Sequence, residues 1–116
     1  MSNAACIADE WPPATEELVA RDSYWEQRAN VTNAYAKRKG APGKITAEGL
    51  RARWSGLCYW CHRKIALGTS RRGFPLATVD HVVSMGRGGP NVDENIVWAC
   101  RECNYSRNEE DQRVAS

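Results

Sequence analysis

Cys58-x-x-Cys61 and Cys100-x-x-Cys103 repeat one short spacing at two distant places in the chain. Together they offer four thiolates, the number and type that tetrahedral zinc takes. Closing that site brings the two pairs side by side and presents the segment between them as one constrained unit. A chain of 116 residues holds one domain's worth of core at most. Small domains short of core recruit structural metals, and the binding energy then becomes folding energy. Trp54, Trp60 and Trp98 flank the pairs and are placed to cover the metal. The rival use of paired cysteines is disulfides in a secreted protein. Against it, the N-terminal stretch has neither a basic start nor a long apolar run, so a cytoplasmic chain without a signal peptide is expected. The long gap between the pairs is no objection, because loop closure grows only logarithmically with length. Cys6 is assigned no role, and Ser2-Asn3-Ala4 reads as a cloning scar.

Net charge is only +2, but it is unevenly spread. Residues 1–26 carry −5, residues 27–79 carry +10 with Glu48 their one acid, and residues 80–116 carry −3. The middle block includes Lys37-Arg38-Lys39, Lys44, Arg51, Arg53, Arg63-Lys64 and Arg71-Arg72. One such pair is an ordinary solvated face; this imbalance points to a polyanion such as nucleic acid. A membrane surface is not expected, since no basic stretch has a broad apolar face.

The chain reads as α+β. Ser23-x-x-Glu26 has the form of a capping box, and Gly40 followed by Pro42 is a stop, which predicts a helix from about Tyr24 to Lys39. A shorter helix is expected from Thr15. The long helix is polar, with Trp25, Ala29, Val31 and Tyr35 as a thin apolar contact. Thr46 caps a short helix from Ala47 to about Trp54, on which Leu50 and Trp54 share a face. Gly56 to Ile65 reads as a knuckle turn between short strands. Then come a strand from Ala77 to Val83, a loop at Gly86–Pro90, a strand from Ile96 to Ala99 and a helix from Arg101 to about Glu110. The division expected is a helical extension over 1–44 and a zinc-stapled domain over 45–116.

Asp80-His81, then Asn95, then Cys100-x-x-Cys103-Asn104 opening a helix, resembles the HNH endonucleases. Cys58-x-x-Cys61 ahead of them is similar to the zinc-containing branch of small phage and bacterial nucleases, and the helix beginning Ile45-Thr46-Ala47-Glu48 also looks like that branch. The resemblance implies a ββα-metal fold stapled by a four-cysteine zinc site, acting on DNA as a metal-dependent endonuclease. It brings phage packaging proteins into view as partners. The reading from another class is a non-catalytic zinc-knuckle nucleic-acid-binding module, which needs neither Asp80 nor His81.

Phosphodiester hydrolysis needs an activated water, a counter-charge for the phosphorane and help for the leaving 3′ oxygen. The resemblance implies His81 as general base, Asp80 as ligand of Mg²⁺ or Mn²⁺, and Asn95 as the residue orienting loop and base. Period-two geometry sends Asp80 to the side of the strand opposite His81. Asn104 stands where the family most often has a second metal-binding histidine. Its amide oxygen is a hard ligand acceptable to Mg²⁺ or Mn²⁺, with weaker affinity expected for Ni²⁺ or Zn²⁺. Arg107, one turn beyond Asn104, is within reach of the same phosphate. Gly86-Arg87-Gly88-Gly89 lacks the strand-to-helix context of a phosphate cradle and reads as a turn, with Arg87 against the DNA backbone. Arg63, Lys64, Arg71 and Arg72 are further DNA contacts. His62 reads as a surface or DNA-facing residue, because four cysteines already complete the tetrahedron.

Overall fold

The computed structural model describes residues 13–68 and 74–115, with side chains placed over 15–68 and 74–108. Cys6, Ser2-Asn3-Ala4, Arg71 and Arg72, on which expectations were placed, lie outside the described residues.

Three helices precede the sheet: α1 (Pro13–Val19), α2 (Asp22–Lys39) and α3 (Ala47–Ala52). Two strands, β1 (Ala77–His81) and β2 (Ile96–Cys100), form an antiparallel pair with Ala77 opposite Cys100 and His81 opposite Ile96. Helix α4 (Arg101–Ala115) leaves β2 without a linker, so the second cysteine pair straddles the strand end and the first helical turn. Strand, connection, strand and helix make a ββα unit. No helix among the described residues is long and apolar enough to cross a membrane.

The core gathers residues from almost every element: Trp25 of α2, Leu50 of α3, Ile65 and Leu67 after the first knuckle, Ile96 and Trp98 of β2. Trp25, Trp54 and Trp98 meet with ring centroids 5.4–6.4 Å apart. Their buried indoles need partners: Trp98 Nε1 donates to Leu50 O at 2.9 Å, and Trp25 Nε1 to Val19 O at 3.1 Å. Trp54 and Trp98 therefore build the aromatic core, and Trp60 turns its indole to Asp80.

Helix α2 departs from its sequence reading at two points. It starts at Asp22 after an N-cap Arg21 that makes no side-chain cap, so the capping box does not form and Ser23 lies inside the helix. Its buried face is Trp25, Ala29, Thr32 and Ala36, whereas Val31 and Tyr35 are exposed. Threonine and small alanines mark this face only weakly, because close packing of a helix against a neighbour favours small side chains over large apolar ones. The C-terminal stop forms as read: Gly40 adopts φ 78°, which glycine takes without strain.

Helix α3 is capped by Thr46, whose Oγ1 accepts from Gly49 N at 2.9 Å. Asp93 accepts from Thr46 N and Thr46 Oγ1, tying this cap to the turn before β2. A side chain at position 49 would collide with the Asp93 carboxylate, so glycine lets the two elements close. Around the first knuckle the expected strands reduce to one bridge, Leu57 with Lys64. The chain reverses too sharply there for more, with Gly56 at φ 82° and His62 at φ 65°.

Candidate active site and zinc centre

The first knuckle docks on β2 through Tyr59 N, which donates to Trp98 O at 2.9 Å. This brings the four cysteine sulfurs within 4.8 Å of one another, with Cys61 and Cys100 at 3.9 Å. A tetrahedral site with Zn–S bonds of about 2.3 Å has sulfur–sulfur edges of about 3.8 Å, so the cluster fits zinc. Backbone N–H groups of Trp60 and Cys61 point at Cys58 Sγ, and that of Cys103 at Cys100 Sγ. Arg63 adds its guanidinium, Nε toward Cys61 Sγ at 3.4 Å and NH2 toward Cys100 Sγ at 3.5 Å. Burial pushes the Cys61 thiol up, but the side-chain and backbone hydrogen bonds from Arg63 outweigh it and hold the thiol down at about 6. Burial raises Cys100 despite the Arg63 contact, and raises Cys103, which has no Arg63 donor. Four thiolates around Zn²⁺ leave a net negative charge, and Arg63 is placed to offset it. His62 is exposed at the turn of the knuckle.

The second site sits at the other end of the sheet. A cleft of about 470 Å³ is lined by Arg28 and Lys39 of α2, Asp80 and His81 of β1, Ser84 beyond it and Asn104 of α4. Asp80 and His81 are both buried. The Asp80 carboxylate accepts from the His81 backbone N–H at Oδ1, and from Trp60 Nε1 (3.0 Å) and Arg107 NH1 (2.6 Å) at Oδ2. The His81 ring meets Asn91 Oδ1 at 2.9 Å through Nε2. Asn104 donates through Nδ2 to Thr78 Oγ1, and its Oδ1 accepts from Asn108.

Asn95 clasps the connection between the strands. Its amide donates to Val83 O and Pro90 O and accepts from Val83 N, all at 2.9 Å, while its backbone carbonyl accepts from Val82 N. The loop closes tightly enough that a side chain at position 89 would collide with the Val83 carbonyl, which is why glycine stands there.

Arg107 is engaged within the protein. Besides Asp80 its guanidinium donates to His81 O and Val82 O and lies 4.0 Å over the Trp60 ring. It braces the end of β1 where the sequence reading had it reaching for phosphate. Arg87 is exposed in the 3₁₀ turn Met85–Arg87, and Lys64 is half-buried beside the knuckle.

A hard divalent cation can be tested against the donors present. A carboxylate offers about four lone-pair sites, and three donors occupy Asp80, leaving one on Oδ1. Asn104 Oδ1 likewise keeps one lone pair beyond Asn108. Two free oxygen sites suit an ion that keeps most of its waters, as Mg²⁺ does. The adjacent Arg107 charge weakens the site. Among the described residues the four cysteines are the only cluster of three or more His, Cys, Asp or Glu placed for a metal.

Several site residues escaped the sequence reading. Asn91 and Asn33 reach His81 by long-range hydrogen bonds that no local pattern announces. Ser84 Oγ is the one enclosed side-chain polar atom without a partner among the described residues, and Ser84 lines the cleft beside His81.

The HNH endonuclease family matches residues 58–110. Among solved structures, the type IV phosphorothioation-dependent restriction endonuclease ScoMcrA is similar at 27% identity over 79% of this chain and 19% of that one, with a TM-score of 0.35. The chain thus spans about a fifth of that protein's length. No curated protein matches the chain.

Proposed function

We propose that this chain, whose residues 58–110 match the HNH endonuclease family, is a metal-dependent DNA endonuclease stapled by structural zinc. The observation that carries the reading is convergence: His81, Asp80 and Asn104, from β1 and α4, line one cleft together with Arg28 and Lys39. A binding module needs the cations but not a buried Asp-His pair at their centre.

In this reading His81 takes a proton from the attacking water, which typically contributes about 10²- to 10⁴-fold to rate. Asp80 and Asn104 would hold Mg²⁺ or Mn²⁺, which supplies counter-charge to the phosphoryl and leaving oxygens when bound. Asn95 holds the loop that carries Ser84, which lines the cleft beside His81. Arg107 holds the Asp80 carboxylate in place. Arg28 and Lys39 contact the flanking backbone; Arg87, Lys64, Arg71 and Arg72 are further DNA contacts in this reading, on the sequence alone. Arg63 serves the zinc centre first. The boundary at 44/45 is kept as the proposed domain division, with α2 lending Trp25 and Asn33 to the unit it abuts. Phage packaging partners and a cytoplasmic setting belong to the same proposal and rest on the branch resemblance alone.

Plasmid cleavage by the zinc-loaded protein tests this. Nicked or linear product should appear with Mg²⁺ or Mn²⁺, vanish with EDTA, and return when the metal is restored. Tight DNA binding with no cleavage under any divalent metal would favour the binding module.

A further inference from the structure

The ring of His81 ends a chain of hydrogen bonds whose direction is set by the backbone. Ile45 N–H can only donate, and it donates to Asn33 Oδ1 at 2.8 Å. Ile45 O can only accept, and Asn33 Nδ2 donates to it at 3.0 Å. The Asn33 amide is therefore fixed, with its oxygen as acceptor. That oxygen also faces Asn91, which must turn its Nδ2 toward it, at 2.8 Å. Asn91 Oδ1 is then left for His81 Nε2 at 2.9 Å. An amide oxygen only accepts, so Nε2 carries the hydrogen and Nδ1 of the neutral ring is bare. Among the described residues nothing hydrogen-bonds Nδ1, and the only enclosed unpartnered side-chain atom is Ser84 Oγ, so Nδ1 is open to the cleft. Asn91 is 0% exposed, which keeps water from competing for these bonds.

We propose that Asn33 and Asn91 are positioning residues that hold His81 as the Nε2–H tautomer and present Nδ1 as the proton acceptor. This rests on His81 being the general base. Water gives its proton to Nδ1 as its oxygen bonds to phosphorus. The P–O3′ bond breaks, and the 3′ oxygen leaves with the electron pair and is protonated by solvent. The resulting imidazolium keeps its Nε2–H on Asn91 Oδ1. The bland alternative is that the two amides merely fasten the loop to α2. The loop is already fastened to the segment that follows α2 by the bond from Asn91 N to Pro42 O at 2.7 Å.

Long-range ¹H–¹⁵N spectra of the zinc-loaded full chain, at a pH where the rings are neutral and without added divalent metal, read the tautomer directly. His62→Asn removes the signals of the other histidine, at a positive-φ position that asparagine tolerates. The His81 ring should show a pyrrole-type Nε2 and a pyridine-type Nδ1. Asn33→Leu removes the acceptor that orients Asn91, so the ring should become a tautomer mixture. Its kcat should fall roughly 10- to 100-fold with KM little changed. An Nδ1–H ring in the wild type, or a folded Asn33→Leu with pure Nε2–H and full kcat, would overturn the proposal. Should Asn33→Leu fail to hold zinc, the wild-type ring decides: a pure Nε2–H tautomer supports the relay, and an Nδ1–H ring or a tautomer mixture overturns it. Full cleavage by His81→Ala would instead sink the base reading while leaving the tautomer standing, so the two failures are distinct.

Discussion

Asp80 and His81 are neighbours in sequence whose side chains take different partners across β1, one held by Arg107 and Trp60 and the other by Asn91. The alternation of a strand makes that separation readable from order alone. What each side chain meets is not readable, because Asn33 and Asn91 lie 58 positions apart and meet only in the fold. In the proposed function Asn104 is the residue on which metal choice turns. Asn104→Asp should keep or tighten Mg²⁺ binding by adding charge, and Asn104→Ala should lose activity. Asn104→His should shift preference toward Ni²⁺ or Co²⁺, as imidazole is the softer ligand. Cleavage across a metal panel checks all three, and indifference to all three would remove Asn104 from the site. Ser84→Ala should leave the cleavage step unchanged and melting equal or higher, since its enclosed Oγ has no partner to lose; single-turnover rates at saturating DNA and thermal scans read both.

At the scale of elements, the knuckles and strands were legible because their signals are local: fixed cysteine spacing, a β-branched run at β1, a glycine stop at Gly40. The start and buried face of α2 were not, since Arg21 makes no side-chain cap and small residues replace large apolar ones at the contact. The role of Arg63 was hidden for a different reason. A cation in a basic block looks like a DNA contact until the sulfurs of Cys61 and Cys100 are found against it. Cys58→Ser or Cys103→Ser should unfold or aggregate the protein, because the metal energy is folding energy. Arg63→Met should stay folded yet release zinc to a chelator faster than wild type. Elemental analysis, with about one zinc per chain expected, and a chelator-competition time course test these; well-folded protein without zinc would remove the staple from the account.

Over the whole molecule, α2 joins the two halves of the argument. Its Trp25 sits in the core, while its Arg28 and Lys39 line the cleft that holds His81. Trp25→Ala should destabilise the fold by about 3–5 kcal/mol, measured by urea denaturation of zinc-loaded protein. Arg28→Glu with Lys39→Glu should lower affinity for all duplexes alike and flatten the salt dependence, as phosphate contacts carry no sequence information. The charge imbalance was plain in the sequence; that Arg28 and Lys39 of that block reach the cleft needed the fold. The central claim is that this cleft cuts DNA through His81. Its most direct test is single-turnover cleavage of duplex DNA by wild type and His81→Ala, compared at equal bound fraction with Mg²⁺ or Mn²⁺ present. The account predicts a loss of about 10²- to 10⁴-fold in cleavage rate with DNA affinity and melting temperature nearly intact. Equal rates for the two proteins would contradict it.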